Sequence, residues 1–272
     1  MQYVSEYIST WHIRAQRIGD ATLRLLDGVA QFQHFFSDFI RHAVRFRWMR
    51  RPAVMRVLIR QLYFTGIEGL PWVLVMTLAG ATAVYSVVPF ARQLNDNSLI
   101  GTLINALLVQ EMAPLLVSIF LLARSGVAVV TEIGHMHVRG EDMLLRSMGI
   151  SVMAYLFLPR LIAFAVCGLI LTVLFAASSV WLGGLMLAWT DQMPFTHFLL
   201  EVRHGASLDG ALLLVAKGMM YPLLCCAMLL FQGCRAGRNP NLMPVCTTRG
   251  VLWALMLMLF ADVLIALLRR LL

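Results

Sequence analysis

Hydrophobic positions recur along this chain in two registers. Between residues 8 and 39, Ile8, Trp11, Ala15, Ile18, Thr22, Leu25, Val29, Phe32, Phe36 and Phe39 return at spacings of three and four, the period of a helical stripe. The opposite face carries Arg14, Arg17, Asp20, Arg24, Asp27, Gln31 and His34. A basic helix with Trp and Phe on its apolar side suits the plane of a membrane interface. A coiled-coil seam shares the period and stands as the alternative.

Beyond residue 60 the stripe gives way to continuous apolar runs. A membrane-crossing helix needs about 20 mostly apolar residues, and the runs at 72–90, 99–123, 155–189, 210–231 and 250–268 meet that length. The third exceeds what a ~30 Å hydrocarbon core requires at ~1.5 Å per residue. It reads either as one long tilted helix or as a span plus a partly buried segment, with Gly183-Gly184 as the weak point if it breaks. Residues 92–98 form a polar turn, 190–209 lie outside with a short amphipathic helix at 195–202, and 233–249 form a loop. The predicted fold is an all-α integral membrane protein. An interfacial helix and basic flank occupy 1–52, and a domain of about five transmembrane helices occupies 53–272.

One polar, glycine-punctuated island, 123–160, interrupts this pattern between spans two and three. It holds Arg124, Glu132, Arg139, Glu141, Asp142, Arg146 and Arg160. Charge concentrated in so apolar a chain belongs outside the bilayer, and the island reads as a docking element for a cytoplasmic partner.

Composition sharpens the class. Charged residues make up 13% of the chain, half the ~25% of soluble proteins, and the mean hydropathy is +0.79. The net charge is +8. Arg14, Arg17, Arg24, Arg41, Arg45, Arg47, Arg50, Arg51, Arg56 and Arg60 all precede the first run, which holds the N-terminus in the cytoplasm. Five spans then leave Arg269 and Arg270 on the far side, a small exception to the same rule. Anionic lipid accounts for the basicity better than nucleic acid does. No cleavable leader is expected, since the first forty residues lack a short apolar core with a small-residue cleavage site. Cys167, Cys225, Cys226, Cys234 and Cys246 lack metal-type spacing and read as reduced packing residues.

Three ionisable residues fall inside spans: Glu111, Lys217 and Asp262. Lys217 is the chain's single lysine. Each costs a few kcal/mol in hydrocarbon, so each is expected to face the protein interior or water. If Glu111 and Lys217 share a depth they neutralise one another, either as a helix-packing pair or as the lining of a cavity for the polar end of an amphiphile. Asp262, nearer the outer half of its span, has a simple contact with water as its alternative. His135 and His137 are two residues apart and diverge on a helix, unlike a metal-binding pair. Ser125 has no G-x-S-x-G setting. A phosphate-binding loop needs Gly-Lys-Ser/Thr, and Lys217 is followed by Gly218 in an apolar run, so ATP hydrolysis by that route is excluded.

Several landmarks occur together and in order: Glu111-Met-Ala-Pro114, Ala123-Arg-Ser-Gly126, Thr131-Glu-Ile-Gly-His-Met136, Met148-Gly149 and Leu158-Pro-Arg160. With Tyr63-Phe-Thr-Gly66, Leu70-Pro71, Lys217, Cys246-Thr-Thr248 and Asp262, they resemble the MlaE family, the permease subunits of Mla/Mce-type lipid ABC transporters, from about residue 60 to the end. The resemblance implies a non-catalytic, homodimeric permease of the bacterial inner membrane. It would move lipid, usually phospholipid, between inner and outer membranes. It implies a coupling helix over 131–148 seated in a separate cytoplasmic ATPase, with Arg124, Gly126, Glu132, Gly134, Met136, Arg146 and Gly149 as coupling residues and Gly126 and Gly149 as joints to spans two and three. A periplasmic MCE-domain protein is the other implied partner. No cofactor is expected in this chain, ATP and Mg residing on the ATPase. The chain departs from the family pattern at Arg139-Gly140-Glu141 and at Ser151-Val152. Gly140 is expected to weaken the coupling helix by ~1 kcal/mol relative to alanine. An ion- or proton-coupled carrier using Glu111, Lys217 and Asp262 is the alternative function, and a scaffold that only recruits a partner is a third.

Overall fold

A computed structural model describes residues 28, 30–39, 41, 52–93, 98–235 and 243–271. The chain divides into two units, Met1–Phe46 and Arg47–Leu272. In the first, residues 30–39 are helical. Phe32 stacks on Phe36 at 6.2 Å and Phe36 meets Phe39 at 5.9 Å, as three- and four-residue spacing requires. The remainder of the expected interfacial stripe, from residue 8 to 27 together with Val29, lies outside the described residues.

Helix is the one regular secondary structure among the second unit's described residues. Its elements are α1 (Pro52–Leu62), α2 (Leu70–Gln93), α3 (Ser98–Leu103), α4 (Ala113–Leu121), α5 (Val127–Val138), α6 (Glu141–Ser147), α7 (Leu158–Trp189), α8 (Phe195–His204), α9 (Leu208–Cys234) and α10 (Met243–Leu271). Wide, i→i−5 turns occupy Tyr63–Ile67, Ile104–Met112, Leu122–Gly126 and Met153–Phe157. Five helical stretches are long and apolar enough to cross a membrane: Val54–Phe90, Ile100–Val138, Met153–Trp189, Leu208–Cys234 and Met243–Leu271. The chain is a multi-pass, all-α membrane protein.

The number of spans agrees with the apolar runs, and their limits do not. Span one begins near Val54, ahead of the expected residue 72, and span two continues to Val138, past the expected 123. Span five begins at Met243, so Cys246, Thr247 and Thr248 are helical and not in a loop. The run at 155–189 belongs to one uninterrupted helix. Gly183 and Gly184 do not break it; their faces lie against Val84 of α2 and Phe198 of α8.

Helix α7 is the central post, flanked by α2 and α9, with α10 laid on α9. Phe164, Leu171 and Phe175 of α7 and Tyr221 and Leu229 of α9 are wholly buried. Lipid offers no hydrophobic drive for this association, so close fit between helices has to supply it. Hydroxyls inside spans bond back to their own helix, as Thr77 does to the Leu74 carbonyl at 2.6 Å and Ser118 to that of Pro114 at 2.5 Å. The wide turn before α4 has a visible cause: Pro114 lacks the N–H that would close on residue 110.

At the tip between spans two and three the chain turns on glycine. Gly140 has φ +73° and Gly149 φ +72°, a region costly for residues with a Cβ. Gly140 is therefore no flaw in one coupling helix but the corner between α5 and α6. Expected residues 131–148 form two helices, not one. Nothing lies within 4 Å of a Cβ built at Gly140, so Gly140→Ala is expected to cost about 1 kcal/mol through backbone strain alone. A shift of several degrees in Tm of the purified chain checks this, and an unchanged Tm would contradict it.

Candidate functional site

Glu111, Lys217 and Asp262 reach the same depth from three helices. Glu111 lies eleven residues beyond Ile100, where span two begins; Lys217 lies nine beyond Leu208, and Asp262 nine before Leu271. At ~1.5 Å per residue these offsets all fall near the middle of a ~30 Å core. Lys217 Nζ donates to Glu111 Oε2 at 2.5 Å and to Asp262 Oδ1 at 2.9 Å. Tyr221, one turn along α9, donates its hydroxyl to the same Oδ1 at 2.5 Å. Three of the sequence-selected residues are thus one cluster, and Asp262 is an integral member.

Exposure within the cluster is uneven. The Lys217 side chain is 1% exposed, against 37% for Glu111 and 20% for Asp262. The ammonium is sealed behind its partners, and the carboxylates form the open side. Tyr221 was not legible as a site residue. Its signal was the four-residue step from Lys217, which puts both on one helix face. Tyr221→Phe removes one bond to a charged acceptor, and a loss of about 1–3 kcal/mol is expected. Thermal unfolding of the purified variant measures it; a wild-type Tm would show the hydroxyl contributes nothing.

A second tether lies next to the cluster. Arg269 Nη1 at the end of α10 donates to Gln110 Oε1 at 3.0 Å. Gln110 is buried, 5% exposed, in the wide turn that also carries Glu111.

Toward the other end, the polar island is bound into the helices. Arg124 Nη1 donates to the Phe64 carbonyl at 2.9 Å and Nη2 meets Glu68 Oε2 at 3.1 Å, while the guanidinium lies 5.1 Å above the Phe64 ring. Arg124 therefore clamps span two to the turn inside span one. Arg160, expected outside the bilayer, is instead 3% exposed in the first turn of α7. Its Nη2 pairs with Glu132 Oε2 at 2.8 Å, and Nε and Nη1 have no partner among the described residues. His137 Nδ1 meets Asp142 Oδ2 at 3.0 Å, bridging α5 and α6 across the Gly140 corner.

The other expected coupling residues divide by position. Gly126 ends the wide turn Leu122–Gly126 with φ −66°, and an added Cβ would meet Leu229 Cδ1 at 2.4 Å, so it is a point of close packing against α9. Gly134 packs on Met243, and Met136 is half-buried. Arg146 and Gly149 are exposed. Sequence reasoning passed over Met143 and Leu144, which with Met148 stand 59%, 58% and 68% exposed around α6. They form an apolar tip between charged neighbours.

Comparison with known proteins follows the same lines. A family model described as Permease MlaE matches residues 58–268. A "Probable ABC transporter permease protein" of Rickettsia bellii is 30% identical over 151 residues, covering 55% of this chain and 56% of the relative. Proteins of the same description from Rickettsia felis and Rickettsia prowazekii are 29% and 30% identical over 151 residues. The chain spans about half the length of the curated relatives it matches.

Proposed function

The chain belongs to the MlaE permease family, and from that premise we propose that it is the membrane-spanning, non-catalytic subunit of an ABC transporter. It moves lipid, phospholipid in particular, between the inner and outer membranes of a bacterium. The observation that carries this reading is the open, acidic side of the Glu111, Lys217 and Asp262 cluster at mid-membrane depth. A carboxylate 37% exposed there cannot face hydrocarbon without a cost of several kcal/mol. A polar cavity covers it, closed by a second copy of this chain. The polar end of a lipid enters that cavity.

Energy comes from a cytoplasmic ATPase that carries ATP and Mg. Its groove receives the α6 tip, where Met143, Leu144 and Met148 offer apolar anchors and Arg146 a charged rim. Arg124, Glu132 and Arg160 tie that tip to spans one, two and three. An MCE-domain protein takes the lipid on the periplasmic side. The competing reading, an ion- or proton-coupled carrier, draws on the same cluster and leaves the α6 tip without a role.

The test is reconstitution of the chain with the ATPase that co-purifies with it, followed by transfer of labelled phospholipid. Transfer that requires ATP and ignores a proton gradient supports the proposal. Transfer driven by the gradient in the absence of ATP replaces it with the carrier.

A further inference from the structure

The charge of the midplane cluster does not balance. Two carboxylates, Glu111 and Asp262, share one ammonium, and that ammonium is the buried member. A molecule arriving from the open side therefore meets carboxylate oxygen first, with Lys217 screened behind it. A phosphate placed there would meet like charge in a low dielectric, where repulsion is strong. The complement of this surface is a cation that donates hydrogen bonds.

The opposite charge is supplied higher on the same helix. Arg269 follows Asp262 by seven residues, two turns toward the outer end of α10. Helical side chains lean toward the N-terminus, so its guanidinium reaches back in the direction of Asp262. There Gln110 holds it, at 3.0 Å, from the residue beside Glu111. Gln110 is itself closely seated, because a Cβ at Gly210 would fall 2.3 Å from its Nε2. A buried amide thus positions an exposed arginine on the far side of the membrane, where positive charge is disfavoured by topology. A guanidinium keeps several N–H donors in a fork that matches phosphate oxygens.

From this juxtaposition we infer that the chain selects a zwitterionic, amine-bearing phospholipid, its ammonium against Glu111 and Asp262 and its phosphate against Arg269. The inference rests on the lipid-permease reading above and adds the headgroup class. Glu111 and Asp262 then set specificity, and Arg269 supplies affinity for any phospholipid.

The experiment uses the full chain in complex with its ATPase, reconstituted into bilayers of equal phosphatidylethanolamine and phosphatidylglycerol. The complex is re-extracted and its retained lipid quantified by mass spectrometry. One charge-assisted hydrogen bond lost or gained is worth about tenfold in occupancy. The parent complex is expected to retain the ethanolamine lipid in about tenfold excess over the glycerol lipid. Asp262→Asn should bring that ratio near parity, and Arg269→Gln should lower retention of both lipids while keeping the ratio. A third arm leaves the protein unaltered and replaces the ethanolamine lipid by its N-acetylated form, which has no positive charge; its excess should vanish. Retention at the bilayer ratio, preference for the glycerol lipid, or an undiminished excess of the N-acetylated lipid overturns the headgroup assignment. Retention of no lipid by the parent complex overturns the lipid-permease reading, and this inference with it.

Discussion

Lys217→Met is expected to remove most of the folded protein from the membrane, the largest single loss available in this chain. Its ammonium is 1% exposed and is the shared partner of Glu111 and Asp262. Without it two carboxylates are left at mid-membrane, Asp262 with the Tyr221 hydroxyl and neither with another cation among the ion pairs of the described residues. Removing one partner of a buried ion pair costs about 3–5 kcal/mol, a large part of the stability of a typical domain. Yield after extraction and Tm by detergent-phase chromatography measure it. The charge-free combination Glu111→Gln, Lys217→Met and Asp262→Asn separates folding from function. Replacing a whole buried ionic group is often neutral, so this triple variant should regain the yield that Lys217→Met loses while transferring no lipid. If it transfers lipid normally, the cluster serves packing alone.

Glu132→Gln is expected to have the next largest effect, on coupling more than on fold. Among the described residues its carboxylate is the one hydrogen-bonding partner of Arg160, whose side chain is 4% exposed. Because Glu132 itself is 58% exposed, solvent screens the pair, and the loss is about 1–3 kcal/mol rather than the full cost of an isolated buried charge. What the pair does mechanically is join α5, which leads to the α6 tip, to the central post α7. With the pair cut, ATP hydrolysis by the bound ATPase should continue while lipid transfer falls at least tenfold. Adding Arg160→Met should restore Tm but not transfer, and a double-mutant cycle over the two positions reads the interaction. Glu132→Lys is a poorer probe, since it sets a second cation against a buried guanidinium and is expected to unfold the contact outright. Normal transfer by Glu132→Gln would remove the pair from the coupling route.

The apolar runs were enough to count five spans, because a span has to be largely apolar along its length whatever it packs against. Their ends were harder to see. Arg124 and Glu132 look like the edge of the bilayer in the sequence, yet they sit in helix that continues to Val138, since Phe64 and Glu68 satisfy the first and Arg160 the second from other parts of the chain. Such satisfaction is a tertiary property and leaves no local mark. The midplane cluster was legible for the reason Arg160 was not: an ionisable residue within an apolar run has to find a partner at its own depth, and depth can be counted along the chain. Arg160 stands at the start of an apolar run, between Leu158-Pro159 and Leu161-Ile162, and the partner that holds it, Glu132, lies on another helix twenty-eight residues earlier in the chain. Tyr221 and Gln110 were invisible because neither type is unusual in a span. Gly140 was read as a weakness of one helix, where its positive φ makes it the corner between two.

Glu111 and Glu132 stand twenty-one residues apart on one continuous helical stretch, Ile100–Val138, about 30 Å at ~1.5 Å per residue. The stretch stays helical, through the wide turn at Leu122–Gly126, between the end proposed to meet lipid and the end proposed to meet the ATPase. Thermodynamic linkage then runs both ways: whatever free energy nucleotide binding spends on lipid affinity, lipid binding returns to nucleotide affinity by the same factor. An occupied cavity is therefore expected to be felt at the ATPase as an altered affinity for ATP, so that the motor senses its cargo before it turns over.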